Sequence, residues 1–256
     1  MSMSSVIYGP VPSWRLGRSL GIDLLSTEGK TCSFDCIYCQ LRKTVHSLTE
    51  RKQFVSLDRL AAELERVKDI AADYATFSGV GEPTLASNLG QAIELARSTL
   101  RLPVAVLTNS SLMTRQDVRR DLSLADMVVA KVDAPNEELF RQINQPAVKY
   151  TLEEIIQAIM LFRKEYEGKL ALQMMFIEAN KGYASQMARI AEQLSPDEVQ
   201  LNTPLRPCAI LPLSPEDIST LRQAFSKLKN VMTVYETSRP EVLPLDWREA
   251  LRRRPE

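Results

Sequence analysis

Residues 31–40 read TCSFDCIYCQ, a stretch that holds three of the four cysteines in this 256-residue chain. Cys32, Cys36 and Cys39 follow a C-x3-C-x2-C spacing. Three thiolates on one short loop can bind three irons of a cubane cluster and leave the fourth iron without a protein ligand. An open iron can bind a further molecule, so the spacing predicts a 4Fe–4S cluster with a free coordination position.

The residues leave a second interpretation of this loop open. His46, the only histidine, follows Cys39 by seven residues and could complete a closed zinc site with the three cysteines. Cys208 stands alone after Arg206 and Pro207. We expect a buried thiol at that position rather than a metal ligand, with contact to a substrate as the alternative role.

The composition narrows the class of protein. Lys plus Arg and Asp plus Glu both number 32, so the formal net charge is zero and the chain as a whole is not a strongly basic nucleic-acid binder. No apolar run approaches the roughly 18 residues of a membrane-spanning helix. The first residues lack the apolar core of a secretory leader. These features predict a cytoplasmic protein in which clustered cysteines bind metal instead of forming disulfides.

Short apolar strands alternate with amphipathic helices along the chain. This alternation predicts a parallel sheet covered by helices, either as a partial barrel or as a doubly wound sheet. The predicted strands are 21–25, 74–78, 104–108, 127–132, 170–177, 199–202 and a short 231–235. The predicted helices are 56–70, 88–100, 114–122, 151–166, 183–194 and 214–228.

Polar residues recur directly after the predicted strands. Parallel strands bring their carboxyl ends to one edge, where both candidate architectures bind ligands. These residues should therefore meet the cysteine loop at one site. They are Gly81 and Glu82, Thr108 and Asn109, Lys131 and Asp133, Glu178 to Asn180, and Asn202.

The cysteine loop resembles the signature of the radical S-adenosylmethionine (SAM) superfamily, C-x3-C-x-aromatic-C, with Tyr38 as the aromatic residue. The resemblance implies a partial (β/α)6 TIM-like barrel and a 4Fe–4S cluster on Cys32, Cys36 and Cys39. It also implies that SAM binds the open iron and is cleaved to a 5′-deoxyadenosyl radical, which abstracts hydrogen from a substrate. The electron would come from a donor such as flavodoxin or ferredoxin.

The resemblance extends to SAM-binding positions. Residues 78–83, SGVGEP, are similar to the glycine–glutamate motif that receives the SAM amino group, although an ordinary turn would read the same way. Lys131 and Asp133 stand where the family often holds the carboxylate or ribose of SAM, although a solvated ion pair is the alternative. Gln173 and Glu178 are weaker candidates. The full expected set is Tyr38, Gly81, Glu82, Pro83, Thr108, Asn109, Lys131, Asp133 and Asn202.

Segments 8–13, 15–21 and 200–206 resemble a bacterial and archaeal group related to wyosine-type tRNA-modifying enzymes, which include four-demethylwyosine synthase. This resemblance implies tRNA as a possible substrate. The synthase carries extra cysteines before its radical SAM motif, whereas this chain has none before Cys32. One alternative is an activating enzyme that makes a radical on a partner protein, and a second is a zinc-binding module that is not an enzyme. We expect a single domain over 1–256, with a core at about 16–210 and an extension at about 211–256.

Basic residues concentrate in two regions. Arg15, Arg18, Arg42 and Lys43 flank the cysteine loop, and residues 248–254 contain four arginines. Either region could contact phosphates. A solvated helix face and a frayed tail fit the zero net charge better.

Overall fold

The structure is a computed structural model that describes residues 4–255. The strands are β1 (Ile7–Ser13), β2 (Gly17–Ile22), β3 (Lys30–Cys32), β4 (Thr44–Ser47), β5 (Tyr74–Phe77), β6 (Val104–Thr108), β7 (Met127–Lys131), β8 (Lys169–Met175), β9 (Glu198–Asn202) and β10 (Val231–Thr233). One curled sheet has the order β1-β2-β5-β6-β7-β8-β9-β10. β1 is antiparallel to β2, and the other pairs are parallel. β3 and β4 form a separate small pair.

Several helices begin at capping residues that the sequence supplies. Ser56, Asn136, Thr151 and Ser214 each accept a hydrogen bond from a backbone N–H of the first turn. The helices are α1 (Leu57–Glu65), α2 (Leu89–Leu100), α3 (Gln116–Leu122), α4 (Glu137–Asn144), α5 (Leu152–Glu165), α6 (Ala184–Leu194), α7 (Pro215–Gln223) and α8 (Trp247–Arg253). None of them is long and apolar enough to span a membrane.

The two faces of the curled sheet pack against different partners. Because side chains alternate along a strand, Val106 and Val128 join the large core with the helices. Ala105 and Val129 face the inside of the curl, where Leu16 from the β1–β2 turn packs against them. This turn closes the amino-terminal end of the half-barrel and leaves its carboxyl-terminal end open for a ligand.

The predicted partial barrel is confirmed: six parallel strands, β2 to β9 in sheet order, form a half-barrel with helices outside. The strand predicted at 21–25 lies earlier, at Gly17–Ile22, because it pairs with β1 as a hairpin. Four further features were not predicted from the sequence: β1, the β3–β4 pair, α4 and α8. After residue 210 the chain adds β10 to the same sheet and returns α8 to β1.

The expected frayed basic tail is wrong for part of the carboxyl-terminal run. Arg253 on α8 is 1% exposed, and its Nε donates to Asp23 Oδ2 at 2.8 Å. Arg253 also pairs with Glu249 on the same helix. A buried guanidinium requires such partners, so α8 is an integral element that covers β1.

Candidate active site

A cleft of about 290 Å³ opens at the carboxyl-terminal ends of the parallel strands. It brings together most of the residues that the sequence analysis selected for cluster and SAM binding. Those that line it are Cys32, Cys36, Tyr38, Cys39, Gly81, Glu82, Thr108, Asn109, Lys131 and Asn202. Residues from five separate loops therefore meet at one place, as strand topology predicted.

The cysteine loop is fixed at both ends by backbone hydrogen bonds. Thr31 N donates to Val80 O at 2.9 Å, and Glu82 N donates to Thr31 O at 3.1 Å, which ties the start of the loop to the glycine–glutamate turn. Further along, Ile37 N donates to Ile143 O at 2.9 Å near the end of α4. The loop is thus held between two elements, and its three thiols face one cleft.

Two amide side chains point toward the sulfur atoms. Asn109 Nδ2 lies 3.5 Å from Cys32 Sγ, and Asn144 Nδ2 lies 3.4 Å from Cys36 Sγ. Donors around the sulfurs stabilise thiolates and tune a bound cluster. Asn109 was predicted from its position after β6. Asn144 was missed, because α4 was not predicted and an asparagine at a helix end carries no distinctive signal.

The surroundings of the Lys30 side chain bear on whether the cysteine loop suits an anionic cluster. Its side chain is 4% exposed, and Nζ has no hydrogen-bond partner among residues 4–255, with Asp35 Oδ1 at 3.5 Å as an ion-pair partner. Burial lowers the pKa of Lys30, but Cys39, Cys32, Cys36 and Asp35 act against it and leave the pKa raised. A buried ammonium beside three sulfurs suits a group that carries negative charge, and a thiolate-bound iron–sulfur cluster is such a group.

The thiols of Cys32 and Cys36 are buried enough to resist ionisation when free. Burial, reinforced by the Glu82 carboxylate, raises the pKa of Cys32 to about 12, and burial also raises the pKa of Cys36. Cluster binding must therefore displace protons that the free thiols hold firmly.

Glu82 organises the turn that faces the cysteines. It is 2% exposed, and Oε1 accepts from Thr84 N at 3.1 Å and from the hydroxyls of Thr84 and Thr108 at 2.7 Å each. Oε2 accepts from Asn109 N at 2.7 Å. Burial raises the pKa of Glu82, while these donors act in the opposite direction. The Glu82 carboxylate links the turn after β5 to the end of β6, and together these segments form one wall of the cleft.

Tyr38, Lys131 and Asp133 form a second wall. The Tyr38 hydroxyl donates to Asp133, Lys131 Nζ donates to the Tyr38 oxygen at 2.9 Å, and Asn144 Nδ2 donates to Asp133 Oδ2 at 3.0 Å. Although burial lowers the pKa of Lys131, Asp133 and the neighbouring Cys36 and Cys39 leave it raised. The pair is not the solvated one considered above, since Asp133 is 3% exposed.

Some expected positions do not reach the cleft. Asp133 lies behind Tyr38, and Pro83 is buried at the start of a 3-10 turn, so neither lines the cavity. Glu178 pairs with Lys181 on the surface. Asn202 lines the cleft, with its Oδ1 accepting from the N–H of the next residue at 3.0 Å.

The zinc interpretation finds no support in the arrangement of side chains. His46 is exposed, and its Nε2 lies 3.1 Å from Glu28 O, outside the cleft that the cysteines line. Within residues 4–255, no three His, Cys, Asp or Glu side chains are close enough to hold a single ion. Cys208 is half-buried and donates to Ile210 O at 3.2 Å.

Four arginines line the open side of the cleft: Arg15, Arg206, Arg239 and Arg254. Arg15 and Arg254 belong to the two basic regions of the sequence, whereas Arg206 and Arg239 were not singled out as basic sites. No sequence signal links them, because they come from four distant segments.

A half-barrel with three cysteines and a glycine–glutamate turn at its open end defines the class of SAM-dependent radical enzymes. The family model described as the radical SAM superfamily matches residues 29–189. The chain therefore belongs to the radical SAM superfamily, and it is an enzyme whose cofactors are a 4Fe–4S cluster and SAM. The UPF0026 protein MJ1312 of Methanocaldococcus jannaschii is 35% identical over 235 residues, covering 89% of this chain and 72% of the relative.

Solved structures share the fold at low sequence identity. SuiB of Streptococcus suis, in a structure with bound SAM, is 14% identical with a TM-score of 0.63, covering 80% of this chain and 48% of SuiB. This chain thus spans about half the length of SuiB. TYW1, in a structure with a lysine-pyruvate adduct, is 16% identical with a TM-score of 0.63, covering 82% of this chain and 73% of TYW1. These likenesses concern the fold.

Proposed function

We propose that Cys32, Cys36 and Cys39 hold the 4Fe–4S cluster and that SAM lies in the cleft between them and the strand ends. When bound and reduced, the cluster supplies the electron that cleaves SAM to methionine and a 5′-deoxyadenosyl radical, which takes a hydrogen atom from the substrate. The observation that carries the proposal is that three thiols, the Glu82 turn and Lys131 open on the same cavity.

The residues around the cavity suit the separate parts of SAM. The Glu82 carboxylate and nearby backbone carbonyls suit an ammonium group, and Gly81 lets the backbone approach closely. Lys131 suits a carboxylate. Asn202 at the end of β9 offers an amide to a ribose. Asn109 and Asn144 orient and stabilise the thiolates as outer-shell donors.

For the substrate, we propose an RNA of the kind modified by wyosine-type enzymes. The arginines at the open side of the cleft support a substrate with phosphates. A partner protein that receives a radical is the alternative, and the absence of an RNA effect on SAM cleavage would favour it.

The proposal is tested by anaerobic reconstitution with iron and sulfide, followed by reduction, addition of SAM and assay for 5′-deoxyadenosine. We expect about four irons per chain, a broad visible absorbance and 5′-deoxyadenosine. Replacing any one of Cys32, Cys36 or Cys39 by Ala should abolish 5′-deoxyadenosine formation. Cys208→Ala is the matched control and should retain it. Loss of the cluster in the control would contradict the ligand assignment.

A second variant separates SAM binding from cluster assembly. Glu82→Ala removes a carboxylate that accepts four hydrogen bonds, so the wall that carries Asn109 should relax. We expect SAM affinity to fall by about tenfold or more while the visible absorbance remains. Glu94→Ala, at an exposed position on α2, is the control. Equal SAM affinity in the two variants would remove Glu82 from the binding site.

A further inference from the structure

The open side of the half-barrel is lined by arginines from both edges of the sheet. Arg15 lies in the β1–β2 turn and Arg254 follows α8, which packs on β1, whereas Arg206 follows β9 and Arg239 follows β10. Arg206, Arg239 and Arg254 also line an adjoining cleft of about 440 Å³. Folding thus gathers four guanidinium groups from distant parts of the chain at one opening, which we name the arginine mouth.

Neutral side-chain amides, not carboxylates, hold Arg15 and Arg206. Arg15 Nη1 donates to Gln173 Oε1, Arg206 Nη1 donates to Gln40 Oε1 at 2.8 Å, and Arg254 Nη2 donates to Pro12 O at 3.0 Å. Within residues 4–255, no ion pair joins Arg15, Arg206 or Arg239 to a carboxylate.

Arg15 has spare donor capacity. Its Nε is buried and has no hydrogen-bond partner in the described part of the chain. Glu198, the acidic residue that acts on Arg15, pairs with Lys169 at 2.6 Å. A buried donor without a hydrogen-bond partner lowers the stability of the fold, unless a bound ligand accepts its hydrogen bond.

The positive charges act on one another. Burial, and then the neighbours Arg254, Arg239 and Arg15, lower the pKa of Arg206 to about 9. Burial and Arg254 likewise lower the pKa of Arg15 to about 10. The mouth therefore concentrates like charges that an anionic ligand would relieve.

SAM does not account for this charge. It carries one carboxylate against an ammonium and a sulfonium, so it can neutralise at most one of Arg15, Arg206 and Arg239. The remaining charge calls for a ligand with several negative charges, and guanidinium groups match phosphate oxygens with paired hydrogen bonds. We propose that the arginine mouth binds phosphate groups of the substrate, which deepens the proposed function by assigning the substrate of this cleft to a phosphate-bearing class.

The test measures binding of inorganic pyrophosphate to the reconstituted protein by titration calorimetry at two salt concentrations. Arg206→Gln/Arg239→Gln removes two of the four charges, and Arg189→Gln, at an exposed position on α6, is the control. We expect the double variant to bind pyrophosphate about 100-fold more weakly, or about tenfold for each arginine lost. We expect the control to bind pyrophosphate as tightly as the wild type does. The affinity of the wild type for pyrophosphate should fall as the salt concentration rises.

Competition identifies the source of the phosphates. If a single-stranded RNA oligonucleotide displaces pyrophosphate at a lower concentration than a nucleoside monophosphate does, the result supports phosphates of an RNA backbone. The reverse order supports a small phosphorylated molecule. Equal pyrophosphate affinity of the wild type and Arg206→Gln/Arg239→Gln overturns the inference, as does an absence of binding to the wild type.

Cluster absorbance and 5′-deoxyadenosine are measured on the same preparations. Arginine-dependent pyrophosphate binding without 5′-deoxyadenosine would contradict the proposed function and leave the phosphate site standing. The opposite result would remove the phosphate site alone.

Discussion

At the residue scale, the site depends on close approach between two backbones. Gly81 lies opposite Thr31, the residue before Cys32, in an isolated parallel bridge. A Cβ on Gly81 would lie 1.6 Å from the Thr31 carbonyl oxygen, a distance that no side-chain movement can relieve. Gly81 is therefore a position where the backbones of the glycine–glutamate turn and the cysteine loop are in direct contact.

Gly81→Ala should separate these two segments. The added methyl group pushes against backbone, so the hydrogen bonds from Glu82 N and Thr31 N should break. We expect less iron bound per chain and SAM affinity lower by about tenfold or more, measured by iron analysis and SAM titration. Gly182→Ala is the matched control, because nothing lies within 4 Å of its added Cβ. Normal iron content and SAM affinity in Gly81→Ala would contradict this account.

The sequence predicted individual residues only where a spacing or a strand end marked them. Cys32, Cys36, Cys39, Glu82 and Asn109, which line the cleft, were selected in this way. Asn144 and Arg239 were not, because an amide or a guanidinium on an unmarked segment has no pattern of its own. Asn144 and Arg239 come near the cysteine loop and the cleft only through long-range folding of the chain, which local sequence patterns do not reveal.

At the element scale, Arg51 connects the segment after β4 to the glycine–glutamate turn and to α3. Its side chain is 6% exposed, Nε donates to Thr84 O at 3.0 Å, and Nη2 donates to Ala86 O at 2.9 Å. Nη1 pairs with Asp117 at 2.9 Å, and Nη2 pairs with Asp121. One arginine thus holds the turn after Glu82 against a helix.

Arg51→Met should destabilise the fold by roughly 3 kcal/mol at pH 7, because it leaves two carbonyls and two carboxylates without this partner. Arg120→Met, at an exposed position on α3, should change stability by less than about 0.5 kcal/mol. Urea unfolding of both variants measures the difference. Equal midpoints would show that Arg51 does not hold the turn.

The ion pair between Arg51 and Asp117 predicts that the stability lost in Arg51→Met depends on pH. Hydrogen bonds from Arg115, and then from Arg51, lower the pKa of Asp117 below its ordinary value of about 3.9. A depressed carboxyl pKa contributes stability above the unfolded value, and this contribution is lost as the pH falls through the folded value. The gap in unfolding free energy between wild type and Arg51→Met should therefore narrow as the pH falls below about 4. An unchanged gap would contradict the pairing.

Elements with clear periodicity were predictable, and short or proline-rich ones were not. The helix predicted at 151–166 is Leu152–Glu165, with the cap at Thr151. β1 contains Pro10 and Pro12, which indicate a turn in a sequence but are tolerated in an edge strand. α8 has seven residues, too few for a periodic signal.

At the scale of the whole molecule, the half-barrel and its ligand edge followed from repeated strand–helix units, because parallel strands place their carboxyl ends together. The concentration of arginines along the cleft could not be predicted from these strand–helix units. It depends on how far the sheet curls and on α8 returning to β1, both of which are set by long-range packing. The neutral net charge of the chain conceals this local excess of arginine.

Electron delivery also concerns the whole molecule, because the expected donor protein would have to approach the cysteine loop from outside. Arg42 and Lys43 lie three and four residues after Cys39 and are exposed, so they present positive charge near the proposed cluster. A donor such as flavodoxin or ferredoxin with an acidic surface would be steered to this pair. Arg42→Glu/Lys43→Glu should slow cluster reduction by flavodoxin about tenfold at low salt, with a smaller effect at high salt.

The control pair Lys227→Glu/Lys229→Glu reverses two exposed charges after α7 and should leave this rate unchanged. Photoreduced deazaflavin, a small reductant that needs no docking surface, should reduce all variants equally, which separates donor docking from damage to the cluster. Rapid-mixing absorbance measures both rates. If both charge-reversed pairs slow flavodoxin equally, overall charge governs the encounter, and the surface beside Cys39 is not the docking site. Slowing confined to the Arg42 and Lys43 variant would place the electron's entry beside Cys39.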